Sequence, residues 1–265
     1  MDSVDVGPFS VVSVVDASGV LTATGPDAFP AATEADWAAA RLLDPAAFGP
    51  EGRWALDFRC VAIRRPDGRV TLVDVGIGAE GSPAGWAPLP GRLVAALGEV
   101  GIGVGDVDTV VLTHLHEDHC GGVVDGLGSP VFPIARHVVQ SVEIASLRAE
   151  PDRTIWSYAV EPLLATGLLD EVDGRVSLTP GVAVVPTPGH TVGHQSVVVT
   201  FGHDEVIVTG DVLVHAVQLV NPDVAYRSEA DQTVARETRH RLLAGARTRG
   251  ARLATAHLHT GFVGL

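Results

Sequence analysis

Apolar and polar positions change period several times along the chain, and each change marks an element. Leu56-Asp57-Phe58-Arg59-Cys60-Val61-Ala62-Ile63 and Val70-Thr71-Leu72-Val73-Asp74-Val75 flank Arg65-Pro66-Asp67-Gly68, which predicts a hairpin with a proline-glycine turn. Valine-rich runs predict strands at Val107–Leu112, Val131–Ile134, Gly181–Val185, Glu205–Thr209 and Arg252–Ala256. Residues 10–22 are strand material around a turn at Ala17-Ser18-Gly19. Helical spacing covers Leu89 to Val100, with Gly101 as its stop, residues 137–149 and 153–166, and Asp231 to Ala246. Trp156 and Tyr158 either line a pocket mouth or pack. Residues 24–52 are rich in Ala, Pro and Asp and predict a single helix, Glu34–Leu43, opened by Thr33. Strands interleaved with helices give an α/β (α+β) chain. Residues 1–265 are read as one domain, in which 1–55 form an N-terminal strand and an extension that covers the active site or packs outside it.

Composition narrows the classes. With 46% hydrophobic and 19% charged residues and a mean hydropathy of +0.27, the 265-residue chain has ample material for a core. No run reaches the roughly 18 apolar residues of a membrane span. The acidic start Met1-Asp2-Ser3-Val4-Asp5 lacks the basic-then-apolar order of a secretory signal, so a soluble cytoplasmic protein is expected. Net charge is −14, which excludes a phosphate-backbone partner. All 18 basic residues are arginines, so Schiff-base and pyridoxal-phosphate chemistry has no lysine to use. Cys60 and Cys120 are too few for a disulfide framework, and both are expected to be packed.

The chemistry is concentrated after Val107–Leu112, in Thr113-His114-Leu115-His116-Glu117-Asp118-His119-Cys120-Gly121-Gly122. Donors this dense at the carboxyl end of a buried strand point to a shared dication, because imidazole and carboxylate are common ligands of zinc and its neighbours. His114 and His116 point the same way on an extended loop. A helix starting near Asp118 would turn Asp118 and His119 away from them, so one stretch could serve two metals. Gly76-Ile77-Gly78-Ala79-Glu80-Gly81 matches a dinucleotide fingerprint. The proline-rich Ser82–Pro88 that follows cannot form the helix that would hold a pyrophosphate, which excludes that reading.

The motif resembles that of the metallo-β-lactamase superfamily, and four further segments resemble that family in the expected order. These are Val73-Asp74-Val75-Gly76, Pro188-Gly189-His190-Thr191, Gly210-Asp211 and the strand end at His257. The resemblance implies a four-layer αββα sandwich holding two divalent metal ions, zinc first, with manganese, cobalt or iron as alternatives. It implies His114, His116 and His190 for one metal, Asp118, His119 and His257 for the other, and Asp211 between them. His257 is preferred to His259 because it is nearer the strand. Asp74 would orient a ligand histidine or its loop, or else merely cap a turn, and His194 would support the site.

Two dications sharing a water would lower its pKa toward about 7, giving hydroxide beside a Lewis acid. No G-x-S-x-G elbow competes as a nucleophile. Asp118 is the candidate to pass a proton to the leaving group, and Asp211 is the second catalytic carboxylate. The passages Asp211–Asp223 and Ala256–Phe262 resemble the branch holding lactonases and methyl-parathion-hydrolase-like enzymes, so the expected substrate is a small-molecule ester, lactone or related carboxylic or phosphoric ester. His215 and Gln218 would then lie near Asp211 and face substrate, against the alternative of an ordinary surface histidine. An iron-dependent oxygenase and a glyoxalase II type thioesterase are the competing activities. A homodimer is among the open assemblies.

Overall fold

The computed structural model describes residues 2–265, which form two sheets, each built from one half of the chain. The first holds β1 (Asp2–Val6), β2 (Phe9–Thr24), β3 (Arg53–Arg64), β4 (Val70–Val73), β5 (Val107–Val111), β6 (Arg136–Gln140) and β7 (Leu169–Val172), side by side in that order. The second holds β8 (Val176–Thr179), β9 (Val182–Pro186), β10 (Gln195–Phe201), β11 (Asp204–Val208), β12 (Arg252–Ala254) and β13 (Phe262–Gly264), again in sequence order. The principal helices are α1 (Gly25–Ala28), α2 (Glu34–Leu43), α3 (Leu93–Glu99), α4 (Glu117–Cys120), α5 (Ser141–Ala149), α6 (Glu161–Thr166), α7 (Ala216–Val220) and α8 (Gln232–Arg249).

Period-two alternation decides which face each strand residue serves. Val61 and Ile63 of β3 point between the sheets, whereas Cys60 and Ala62 point out toward α3, α5 and α6. The layer between the sheets is almost entirely valine, including Val11, Val111, Val138, Val184, Val197, Val199, Val206 and Val208. Branched, stiff side chains suit this packing of two pleated faces. A third cluster joins Ile207 and Leu253 of the second sheet to α7, α8 and the N-terminal segment. The result is the αββα order of layers. Among the described residues, no helix is long and apolar enough to cross a membrane.

Several expectations need correction. Ala17-Ser18-Gly19 is not a turn. β2 runs through it, with a register shift between Val15 and Ala17, because pairing with β3 and a 2.5 Å hydrogen bond from Ser18 Oγ to Asp57 Oδ1 hold it extended. The shift leaves the Asp16 carboxylate to accept from the N–H groups of Ile77 (2.8 Å) and Leu93 (2.6 Å). Val131–Ile134 is not a strand, since Pro130 and Pro133 lack the N–H that a ladder needs; the strand forms at β6, and the helix expected from 137 starts only at Ser141. The helix expected from Leu89 starts at Leu93, after Pro88 and Pro90. β1, β7, β8, β10, β13, α1 and α7 were not among the expected elements, so residues 24–52 hold α1 as well as the one helix expected there. Thr33 does cap α2, in a reciprocal box with Asp36.

In metal-free protein, Val184→Ala should lower unfolding free energy by about 2 kcal/mol, from two lost methyl groups plus a cavity. Leu42→Ala, 86% exposed on α2, should stay within about 0.5 kcal/mol. Urea denaturation of the two variants checks the contrast.

Candidate metal centre

Each donor stands where a strand ends. β5 delivers the segment His114–His119, the β9–β10 connection carries His190 and His194, β11 delivers Asp211, and β12 delivers His257. Backbone bonds stitch the sheets together at this end. Gln195 N–H donates to Thr113 O (2.8 Å) and Arg59 N–H to Ala256 O (2.9 Å). The half-helical turn α4 begins at Glu117, so Asp118 and His119 leave the line of His114 and His116 as expected.

Two donor groups result: His114, His116, His190 and Asp211 in one, and Asp118, His119 and His257 in the other, with the ligand atoms of each within 4.8 Å of one another. His116 Nδ1 lies 2.9 Å from both His114 Nε2 and His190 Nε2. Asp211 stands between the groups. Its Oδ2 is 3.1 Å from His190 Nε2 and 3.9 Å from His114 Nε2, while its Oδ1 is 3.2 Å from both His119 Nε2 and His257 Nε2. Asp118 Oδ2 closes the second group at 3.6 Å from His119 Nε2 and 3.5 Å from His257 Nε2.

The outer hydrogen bonds set which ring nitrogen faces inward. Asp74 accepts from Thr113 N–H (Oδ1, 2.7 Å), from the Thr113 hydroxyl (Oδ2, 2.9 Å) and from His119 Nδ1–H (Oδ2, 2.8 Å). The Thr113 hydroxyl oxygen is then free to accept from His114 Nδ1 (3.0 Å), so one carboxylate orients a histidine in each group. Asp74 does this from the left-handed region, at φ 60°, which an aspartate tolerates. His257 Nδ1–H donates to Asp57 O (3.0 Å). His194 Nε2 accepts Asp211 N–H (2.9 Å) while its Nδ1 faces Thr187 Oγ1 (2.8 Å), which makes it a support for Asp211.

These tautomers turn the Nε2 lone pairs of His119 and His257 toward Asp211 Oδ1. His119 Nε2 and Asp211 Oδ1 are buried with no hydrogen-bond partner. Without a cation, relief comes only from protons. Burial opposes charge on His119, yet Asp211, Asp118 and Asp74 hold its pKa well above the usual value, and Asp211 does the same for His257. Burial also resists charge on Asp211, but His119, His257 and His190 keep its carboxyl well below the usual range. Burial pushes His114 well down and His116 to about 4, so these rings are neutral and present lone pairs. Buried lone pairs converging on a carboxylate fit a pair of dications.

Other expected residues lie elsewhere. His215 is neither a surface group nor part of the cleft. It is 2% exposed, lies 5.3–5.7 Å from the rings of Phe29, Trp37, Phe48 and Trp54, and accepts Val217 N–H at the start of α7. Burial lowers its pKa to about 4. Gln218 is also buried, accepting Val214 N–H and donating to Val224 O. His259 turns away to the Asp44 carboxylate, 3.2 Å from its Nδ1. Cys60, Cys120 and Trp156 are packed in the core, and Tyr158 donates to Gly121 O.

A cleft of about 280 Å³ opens over the donors, walled by Leu21, Trp54, Leu56, Trp86, Val214 and Tyr226. Leu21 and Trp54 of the first 55 residues line it, but no residue of 24–52 does. Phe29 packs behind Trp54 and Tyr226, at 5.3 and 5.4 Å, and supports the wall. The Tyr226 ring stacks on His190 at 6.1 Å. Arg59 and Glu143 also escaped the motif reading. Arg59 is buried and donates to the carbonyls of Leu258 (2.7 Å) and His259 (2.6 Å), pinning the loop that carries His257. Glu143 had one legible signal, a carboxylate four residues before the apolar Leu147 on one helical face.

A model of the metallo-beta-lactamase superfamily matches residues 59–245. A probable metallo-hydrolase of Mycobacterium tuberculosis is 32% identical over 125 residues, covering 44% of this chain and 40% of that protein. An N-acyl homoserine lactonase of a Bacillus species is 31% identical over 108 residues, covering 41% and 39%. The match thus spans about two fifths of the length of these curated relatives. The structure of a probable metal-dependent hydrolase from Staphylococcus aureus superposes with a TM-score of 0.83 at 19% identity, covering 98% of this chain and 94% of the other. That of AidC, a dizinc quorum-quenching lactonase, gives 0.80 at 20% identity, covering 100% and 96%. At these identities the likeness is one of fold.

His257→Ala should reduce the divalent-metal content from about two ions per chain to about one, whereas His259→Ala should keep about two. Elemental analysis of purified protein reads the difference, and equal loss in the two variants would contradict the assignment of His257.

Proposed function

The chain belongs to the metallo-β-lactamase superfamily, and we propose that it is a dinuclear metal-dependent hydrolase of carboxylic esters or lactones that carry an apolar arm. The observation that carries this reading is Asp211, buried, with one oxygen turned to each donor group. His114, His116 and His190 would hold one ion, Asp118, His119 and His257 the other, and Asp211 both, with zinc as the metal expected from an imidazole-rich donor set. Two such ions supply a Lewis acid for the scissile carbonyl and a means of lowering the pKa of a coordinated water toward about 7.

The chain's own residues then have limited tasks. Asp74, Thr113 and the Asp57 carbonyl keep ring nitrogens aimed inward, so little rearrangement is needed at the moment of reaction. Leu21, Trp54, Leu56, Trp86 and Val214 bind the apolar arm and keep water from it. Trp86, half exposed in the cleft wall, packs against that arm. Asp118, at the cleft floor, is placed to hand a proton to the departing oxygen. A side-chain nucleophile is not needed. Ser228 lines the cleft, but among the described residues no histidine hydrogen-bonds to it.

The ester preference is supported by the named lactonase among the relatives and by the apolar wall. An anionic thioester tail finds no arginine among the residues lining this cleft, so the thioesterase alternative draws no support from it.

Removing metal with a chelator should abolish hydrolysis of a short ester and lactone panel, and Zn²⁺ should restore it. His116→Ala should lower kcat/KM by at least about 100-fold. Trp86→Ala should cost about tenfold on long-chain substrates and little on acetyl esters. Turnover that survives full metal removal would overturn this function.

A further inference from the structure

Glu143 lies outside both donor groups, on α5, and is 5% exposed. Its two oxygens serve two different loops. Oε1 accepts Leu115 N–H (3.1 Å), and Leu115 sits between His114 and His116 on the loop of the first sheet. Oε2 accepts Gly193 N–H (2.9 Å), three residues after His190 on the loop of the second sheet. The contact is close on the backbone side as well. A Cβ at Gly193 would fall 2.5 Å from Glu143 Cβ and from its backbone nitrogen, so α5 is pressed directly on the loop. No hydrogen bond from Glu143 reaches Asp118, His119 or His257. His119 and His257 are held instead through Asp74 and the Asp57 carbonyl.

The geometry points to Glu143 as the positioning residue of the His114–His116–His190 site, a carboxylate clamp that sets the distance between two loops from different sheets. This inference rests on the metal-hydrolase reading above. Three ring nitrogens supplied by two separate loops converge only if the loops keep their spacing, and Glu143 is the side chain that bonds to both. A carboxylate suits the task because it offers an acceptor oxygen to each N–H, whereas an amide of the same shape offers only one. Its effect is therefore one-sided, on one of the two metal sites.

The test is zinc titration of metal-free, full-length Glu143→Gln and wild type against a chromophoric chelator. One of the two equivalents should weaken by roughly 10–100-fold and the other change little. In a His257→Ala background, which leaves the first site, the same loss should persist. Equal weakening of both equivalents, or of neither, overturns the inference. Should the variant fail to fold, amide hydrogen exchange of metal-free wild type decides it. Leu115 and Gly193 should be protected together, and fast exchange at either overturns the clamp. Wild type that binds no zinc sinks the metal reading and this inference with it. Two tightly bound zinc ions in wild type and in Glu143→Gln alike sink this inference alone.

Discussion

Burying the Asp211 carboxylate among five histidine rings creates a debt of charge that the whole site is arranged around. Its Oδ2 faces one group of nitrogens and its Oδ1 the other, and Oδ1 has no hydrogen-bond donor. Taking a carboxylate out of water is costly unless positive charge accompanies it. In the metal-free protein that charge comes from protons on His119 and His257, whose pKa values the surrounding carboxylates raise against the effect of burial. Two dications provide it better, and in exchange for protons that the rings would otherwise hold.

The outer residues follow from that constraint. A ring whose outer nitrogen is bonded is fixed with its other nitrogen inward, and Asp74, Thr113 and the Asp57 carbonyl do this for three histidines. His194 supports Asp211 from behind, through its backbone N–H. Gly210 is required there, since a Cβ would lie 2.6 Å from His194 Nε2. The layer of valines between the sheets serves the same end at longer range. By fixing how the two halves of the chain face each other, it fixes where two sets of strand ends meet.

The N-terminal extension has a role that neither of its expected places anticipated. No residue of 24–52 lines the cleft, and yet the segment is more than outer packing. Phe29 supports Trp54 and Tyr226 from behind, and Asp44 draws His259 away from the centre, leaving the position beside Asp118 and Asp211 to His257. The apolar cleft wall is thus built from β2, β3, the loop between β4 and α3 and the segments on either side of α7, elements far apart in the chain.

The metal motif was legible because its chemistry is local. His114, His116, Asp118 and His119 fall within one strand end and one helical turn, where spacing alone sets direction. The family resemblance extended this to His190, Asp211 and His257. Elements with strong periodicity, such as α2, α8 and the β3–β4 hairpin, could be read for the same reason. Ala17-Ser18-Gly19 has turn composition but lies in a strand, because pairing with β3 outweighs local preference. His215 lies near Asp211 in sequence, yet four aromatic rings bury it outside the cleft. Arg59, Glu143 and Tyr226 act through partners that sequence distance hides. The sequence by itself therefore nominated His114, His116, Asp118 and His119 as metal donors, since short-range geometry governs them, and the resemblance nominated the rest. Only the tertiary structure decided how the two groups share Asp211, what holds each ring and what walls the cleft, because those contacts join residues from separate sheets whose approach is set by core packing.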